Sequence, residues 1–488
     1  MKLIIGKLLW LVCAFLSVYT LGEKQEAGGY RVAYNVEEKI DEYGICKKVL
    51  QTISTNTSGQ NPFASSVKYD LFVPTQEKKE WEQFIQVYNK NEPFSYGGRT
   101  SCFASSRICM LDCPLEGQLN DTGVIKALKI TNVSSFFVEC SQDRTGIYTY
   151  KPQDCAYGRD VEDSSDYDGQ AGFSFTRLNK DGTEYSESGD YATEPWGCVK
   201  DETTGLVWEV KTKSGTHAWD KLYSHKNPHS DLLKVLVEAS NDEKLCGYTD
   251  WRVPHLSEVL GLVNFADGKF DKNYFPFANK YKRGGASWWT STKSLKSSVL
   301  DPNAQFFWSY NLNSFVLRNQ DKNSSRNYLR LVRGPRLAQM PPDRYITNGD
   351  GTVSDPYTGL MWQRCSVGQT WNNNSCSGSP KSFKTIKEGW RDALKEGSDN
   401  SFAKHQDWRV PNVKELVSIA NYTEKIPAIS KSIFPDTKFG YYWTSTPHKN
   451  GENIYVVNFE LGSISESKSN WTLDVYTRLV RDLPDSGN

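Results

Sequence analysis

The sequence predicts an α+β protein, with a disulfide-rich N-terminal region followed by two copies of one domain. Three observations lead there. The pentapeptide DWRVP stands at Asp250–Pro254 and again at Asp407–Pro411, each time within a longer series of matched blocks. Within each series, stretches of helical spacing give way to short aromatic runs of strand character. The region ahead of them carries most of the cysteines and none of the blocks.

At the N-terminal end, Lys2 and Lys7 precede an apolar run from Leu8 to Leu21, the anatomy of a secretory signal peptide over residues 1–22. The run is shorter than the roughly 20 apolar residues a membrane span requires, and no later segment is apolar enough to cross a bilayer. The expectation is export with cleavage, to the medium, the outer cell surface or the periplasm, leaving no transmembrane segment. Cleavage removes Cys13 and leaves ten of the eleven cysteines, an even number in an oxidising compartment, where disulfides are the default. Six of them, Cys46, Cys102, Cys109, Cys113, Cys140 and Cys155, fall in an N-terminal domain expected to span 23–165, and their pairing stays open. Cys109 and Cys113 stand four apart, but no CxxC occurs and no His follows at ligand spacing, so no metal is expected there. The segment EDSSDYDGQAG, Glu162–Gly172, is rich in Asp, Ser and Gly and reads as a linker or an exposed loop.

The repeated blocks keep one order. DETTGLVW at Asp201–Trp208 answers DPYTGLMW at Asp355–Trp362, WWTST at Trp288–Thr292 answers YWTST at Tyr442–Thr446, and YLRLVRG from Tyr328 answers YTRLVRD from Tyr476. Self-similarity of this extent marks a duplicated domain, with copies expected at 173–337 and 345–483. In RVPNVKELVSIA, Pro411 closes an extended stretch, Asn412 suits a helix N-cap and Glu415 completes a capping box. Val413, Leu416, Val417 and Ala420 recur at helical spacing and turn one face inward. The first copy has His255, a poorer cap, with Glu258 in register. A general acid or base role for Glu258 and Glu415 is the rival reading, and the cap accounts for both residues without it. FFWSYNLNSF and YVVNFELGSI break at Asn or Gly as hairpins do.

Trp251 and Trp408 call for burial, and a charge buried beside them needs a partner. The expectation is that Asp250 pairs with Arg330 and Asp407 with Arg478, tying the two ends of each copy together. The chain is neutral, with 58 basic and 58 acidic residues, yet Lys200–Arg336 holds 21 Lys and Arg against 14 Asp and Glu. The first copy is therefore the basic one.

These residues carry a family resemblance. The order TGLMW, CSVGQTWNNNSC, DWRVPNVKEL, FPDT, YYWTST, YVVNFELGS and YTRLVRD resembles the C-terminal domain of the Legionella collagen-like protein family, present twice. The resemblance implies two tandem C-type-lectin-like domains, distantly similar to the formylglycine-generating enzyme, in a secreted or surface-displayed binding module that in the best-known case recognises sulfated polysaccharides. It also implies disulfides Cys365–Cys376 and Cys198–Cys246. The stretch EYGICKKVL is similar to a small module found ahead of such domains, with no activity implied.

Other chemistry was sought in the residues. The enzymes of this fold need a late cysteine pair, and none follows Cys246 or Cys376 in its copy. His225, His229 and Asp231 have a metal-like spacing, but Pro228 interrupts the helix that would align the rings. No GxSxG, GxGxxG or phosphate loop is present, and neither are the EPN and WND strings of calcium-dependent lectins. No catalytic residue, cofactor or metal is expected. Lys280, Lys282 and Arg283 form a basic loop ahead of WWTST, the candidate site for a polyanion. The reading is an exported, non-enzymatic adhesin that binds a glycosaminoglycan-like extracellular polysaccharide or other surface proteins, and not nucleic acid. The alternative is a structural or tip subunit of a surface fibre or secretion assembly.

Overall fold

The computed structural model describes residues 119–130, 135–140, 153–157, 172–186, 189–224, 232–278, 280, 287–294, 306–311, 316–321, 326–334, 344–424, 426–467 and 473–483, together with short backbone strands between residues 19 and 112. The chain divides into two compact units, Met1–Leu115 with Pro484–Asn488, and Glu116–Leu483. In the first, the strands pair antiparallel into one sheet. The division by contacts falls at Leu115/Glu116, so the described residues between 119 and 157 belong to the unit that also holds the repeats.

Most of the second unit is small sheets, with few helices. It opens with a hairpin, β1 (Lys126–Ile130) and β2 (Ser135–Glu139), closed by a Cys140–Cys155 disulfide. The first copy follows with β3 (Phe175–Leu178), β4 (Cys198–Asp201), β5 (Val207–Glu209), helices α1 (Leu232–Asp242) and α2 (Leu256–Gly261), β6 (Ser287–Ser294), β7 (Phe306–Asn311), β8 (Val316–Asp321) and β9 (Val332–Arg333). The second copy runs β10 (Ile346–Thr347), β11 (Thr352–Asp355), β12 (Leu360–Gln363), β13 (Thr370–Asn372), β14 (Ser375–Ser377), α3 (Arg391–Ser398), α4 (Val413–Ser418), β15 (Tyr441–Pro447), β16 (Ile454–Asn458), β17 (Ser463–Glu466), β18 (Val475–Tyr476) and β19 (Val480–Asp482).

The duplication holds in the register of the sheets. The first sheet runs β3-β4-β5-β9 in one copy and β10-β11-β12-β19 in the other. Trp208 lies opposite Val332, as Trp362 lies opposite Val480. A second sheet follows, β6-β7-β8 in the first copy and β17-β16-β15-β18 in the second. Each DWRVP arginine bridges the last strand, Arg252 to Val332 and Arg409 to Val480. Among the described residues seven tryptophans are fully buried, Trp251 and Trp408 included. Both capping boxes form, with His255 as well as with Asn412.

The copies are not independent bodies. One apolar cluster takes in Trp208, Leu260, Trp308 and Tyr310 of the first copy and Leu416, Tyr455 and Phe459 of the second. The Tyr455 hydroxyl donates to the Phe265 carbonyl at 3.3 Å, and the two rings meet edge to face. Lys414 crosses this seam, donating to the carbonyls of Asp121 at 2.5 Å and Gly261 at 2.8 Å, with its ammonium 4.4 Å from the Phe173 ring. Burial brings the Lys414 ammonium down to about 7. Asp154, in the short 3-10 turn beside the Cys140–Cys155 disulfide, goes the other way, to about 8, through burial and then through Asp121.

Candidate functional site

The repeated pentapeptide is fully engaged in holding the fold. Trp251 donates its indole N–H to the Leu245 carbonyl at 2.9 Å, and Trp408 to that of Phe402 at 3.0 Å. The arginine makes a forked pair with the capping-box carboxylate. Arg252 reaches Glu258 at 2.8 and 2.6 Å, and Arg409 reaches Glu415 at 2.7 Å twice. Each carboxylate thus serves a helix cap and a guanidinium at once, and Glu258 and Glu415 are buried.

The aspartates pair with an arginine other than the expected one. Asp250 accepts from Arg333 at 3.0 Å twice, and Asp407 from Arg481 at 2.8 and 2.9 Å. Positions three apart on an extended chain face opposite sides, so Arg333 and Arg481 lie beside the aspartates while Arg330 and Arg478 turn into the core. There Arg330 donates to the Glu209 carbonyl, and Arg478 donates to the carbonyls of Gln363 and Arg364. The aspartates are half exposed. Burial alone would raise the Asp250 carboxyl, but Arg333 holds it below its usual range. Arg481 lowers Asp407 in the same way.

The structure joins Cys198 to Cys246 and Cys365 to Cys376. The side chains of Cys46, Cys102, Cys109 and Cys113 lie outside the described residues, as do Lys282, Arg283, His225, His229 and Asp231. Among the described residues no group of three or more His, Cys, Asp or Glu could hold a metal, and no helix is long and apolar enough to cross a membrane.

A buried charge network sets the first copy apart. Glu209 accepts from Lys211 at 2.6 Å, His217 Nδ1 at 2.7 Å and the Leu331 amide at 2.8 Å, while His217 Nε2 meets Glu243. Burial would raise the Glu209 carboxyl, but Lys211 and then His217 hold it at about 2. Burial would lower His217, but Glu209 and Glu243 raise it. The second copy has Gln363 at this place, donating to Asn400 at 2.7 Å. Glu209 itself is sealed by protein at 0 % exposed, while Glu243 at the outer end of the network keeps 44 % of its side chain exposed.

The candidate binding surface is a cleft of about 460 Å³ in the first copy, holding Asp267, Lys269, Asp271, Lys272, Phe277 and Lys280. Phe277 is half-buried at φ 66°, a left-handed conformation that a bulky residue adopts only under strain. Trp219 stacks on it at 6.3 Å, Tyr191 meets it edge-on at 5.9 Å, and the Lys280 ammonium lies 5.1 Å from its ring. Asp271 accepts from the Asn273 amide through Oδ1, while its Oδ2 is buried with no hydrogen-bond partner among the described residues. Burial raises that carboxyl.

In the second copy the matching FPDT turn puts Asp436 at φ 53°. Asp436 receives the Cys376 amide at 2.9 Å, Arg364 donates to the carbonyls of Ser432 and Ile433 at 2.7 Å, and Trp371 packs 4.4 Å from Arg364. The β13–β14 hairpin, tied by Cys365–Cys376, covers this end of the second copy. Of the sequence-predicted basic residues only Lys280 is described, and it lies in the cleft. Sequence reasoning missed Tyr191, Trp219, Asp271 and Phe277. The change from FPD to FPF at the turn was the available signal.

Comparison with known families places these repeats. The model of the Lcl C-terminal domain matches residues 197–333 and again 351–481, together more than half of the chain. The chain belongs to that family and carries its domain twice in tandem. No curated protein and no solved structure matches it.

Proposed function

We propose that this chain is an exported, non-enzymatic binding protein of the cell surface, an adhesin, whose first copy recognises an acidic glycan such as a sulfated polysaccharide. Both copies take the C-type-lectin-like fold in this reading, and the second serves chiefly as support. The observation that carries it is the strained Phe277 ring held open between Trp219 and Lys280. Sugars stack their apolar faces on aromatic rings, and Lys269, Lys272 and Lys280 would meet sulfate or carboxylate groups at the rim. Membership of the Lcl family supports a surface protein with an adhesive role. Among the described residues, the charged clusters sit inside the fold as struts, which supports a binding role over a catalytic one.

The test uses the whole chain, because a shared core leaves neither repeat a body of its own. Retention on heparin and on an array of sulfated glycans is compared for the native protein, Lys280→Ala and Phe277→Gly. Glycine relieves the positive φ while removing the ring. Both variants are expected to stay folded and to lose retention by at least about tenfold, and native binding is expected to vanish between about 0.15 and 0.5 M NaCl as the rim is screened. Retention that survives either substitution, or that is indifferent to salt, would overturn the assignment.

A further inference from the structure

The first copy buries a cation that, among the described residues, no carboxylate meets in an ion pair. Arg330 is 2 % exposed and stacks 5.0 Å from the Phe275 ring and 5.4 Å from the Trp288 ring. Its Nη1 donates to the Glu209 carbonyl. Its Nε and Nη2 have no hydrogen-bond partner among the described residues, and neither does Nε1 of Trp208 or Nε1 of Trp288. All three side chains line one internal cavity of about 10 Å³, with apolar neighbours such as Val259 and Leu262. That is room for a single small ion or water.

The chemistry of the lining selects between them. The lining side chains carry five N–H groups, on four nitrogens, without a partner among the described residues, and no acceptor. A water has two lone pairs for those donors and two protons of its own that would find no acceptor, whereas a monatomic anion accepts from all sides and offsets the guanidinium charge. The nearest carboxylate, Glu209, is already committed to Lys211, His217 and the Leu331 amide. Burial lowers the Arg330 guanidinium to about 10 with Glu209 pulling the other way, and burial lowers Arg478 alike.

The second copy supplies an internal control. Arg478 fills the same position, and its Nη2 donates to the Thr437 hydroxyl at 2.7 Å and the Ser366 hydroxyl at 3.4 Å. In the first copy the residue at the place of Thr437 is Ala278, three after the phenylalanine of the shared Phe-Pro turn. The hydroxyl that takes Nη2 of one guanidinium is missing from the other, while Nε of Arg478 and Nε1 of Trp362 lack a partner among the described residues just as Nε of Arg330 and Nε1 of Trp208 do.

We propose that the first copy holds one chloride ion, or another monatomic halide, between Arg330, Trp208 and Trp288. The cavity adjoins the glycan cleft, and Phe270 lines both. The full chain is melted at fixed sodium concentration while chloride replaces gluconate, an anion too large for the cavity. The melting temperature is expected to climb by roughly 3 °C over about a hundredfold rise in chloride, by mass action on the folded state alone. Ala278→Thr restores the second copy's hydroxyl and is expected to abolish that dependence. Crystals grown in bromide are expected to show an anomalous peak between the guanidinium and the two indoles. Equal melting in chloride and gluconate, a dependence that survives Ala278→Thr in folded protein, or no bromide at that place would each overturn the proposal.

Discussion

The two copies share a frame and differ in what one end of it leaves unfilled. Trp208 and Trp362, the capping carboxylates and the terminal arginines occupy equivalent places and make equivalent bonds. At the turn after Phe275 and Phe434 the copies part. The second places Asp436, which tolerates a left-handed backbone and receives the Cys376 amide. The first places Phe277 there, in a conformation that costs a phenylalanine about 1–3 kcal/mol. The same end carries Ala278 for Thr437 and a charged Glu209 for Gln363. The second copy closes this end with Asp436 and Thr437 of its own chain, and the first leaves Phe277 half-buried and Nη2 of Arg330 without a hydrogen-bond partner among the described residues.

The largest effect is expected from the tryptophans of DWRVP. Trp251→Ala and Trp408→Ala should each cost about 3–5 kcal/mol, the usual loss for a buried indole. The copies meet in one apolar cluster, so either change should lower a single urea transition of the second unit. Two separable transitions, each sensitive to only one of the substitutions, would break the picture of one body with two halves.

Next in size is the Glu209 network, which sharpens the comparison through pH. His217 titrates above its ordinary value of 6.5, so its contribution is complete below that value and is lost as pH rises through the higher folded value. Glu209 titrates at about 2 against an ordinary 4.5, so its share is present above 4.5 and is lost as pH falls toward 2. His217→Gln is therefore expected to cost about 1–2 kcal/mol near pH 5.5 and less near pH 9, measured by urea unfolding at both. Gln363→Ala in the neutral counterpart should show no such pH dependence. A His217→Gln cost that is the same at both pH values would mean the ring is uncharged in the fold.

The frame was legible in the sequence because it is local. A capping box spans four residues, and the blocks at Asp201 and Asp355 state the duplication outright. The partner of each aspartate was not legible. Choosing Arg333 over Arg330 depends on which face of the last strand meets the DWRVP segment, and two arginines three apart offer no hint of it. The cleft was hidden for a different reason, since Tyr191, Trp219 and Phe277 come from three separate segments. Lys414 reads as the outer face of an amphipathic helix, yet the neighbouring copy buries it. Periodicity describes one helix and one core, and here a helix lies between two.

The smallest effect belongs to the most conspicuous charge in the repeat. Asp250 and Asp407 keep 51 % and 59 % of their side chains exposed, and an exposed pair contributes less than about 1 kcal/mol even when forked. Asp250→Asn and Asp407→Asn should each lower stability by a few tenths of a kcal/mol at low salt, and by less at about 1 M NaCl, where the attraction is screened. The buried Arg409–Glu415 pair behaves otherwise: Glu415→Gln leaves a guanidinium that is 4 % exposed with, among the described residues, only Asp482 as a carboxylate partner and should cost about 3 kcal/mol with little response to salt. If the aspartates proved the costlier of the two, the pentapeptide would be fastening its copy from the outside. The ordering expected here makes arginine its keystone and the aspartate a guide for the last strand.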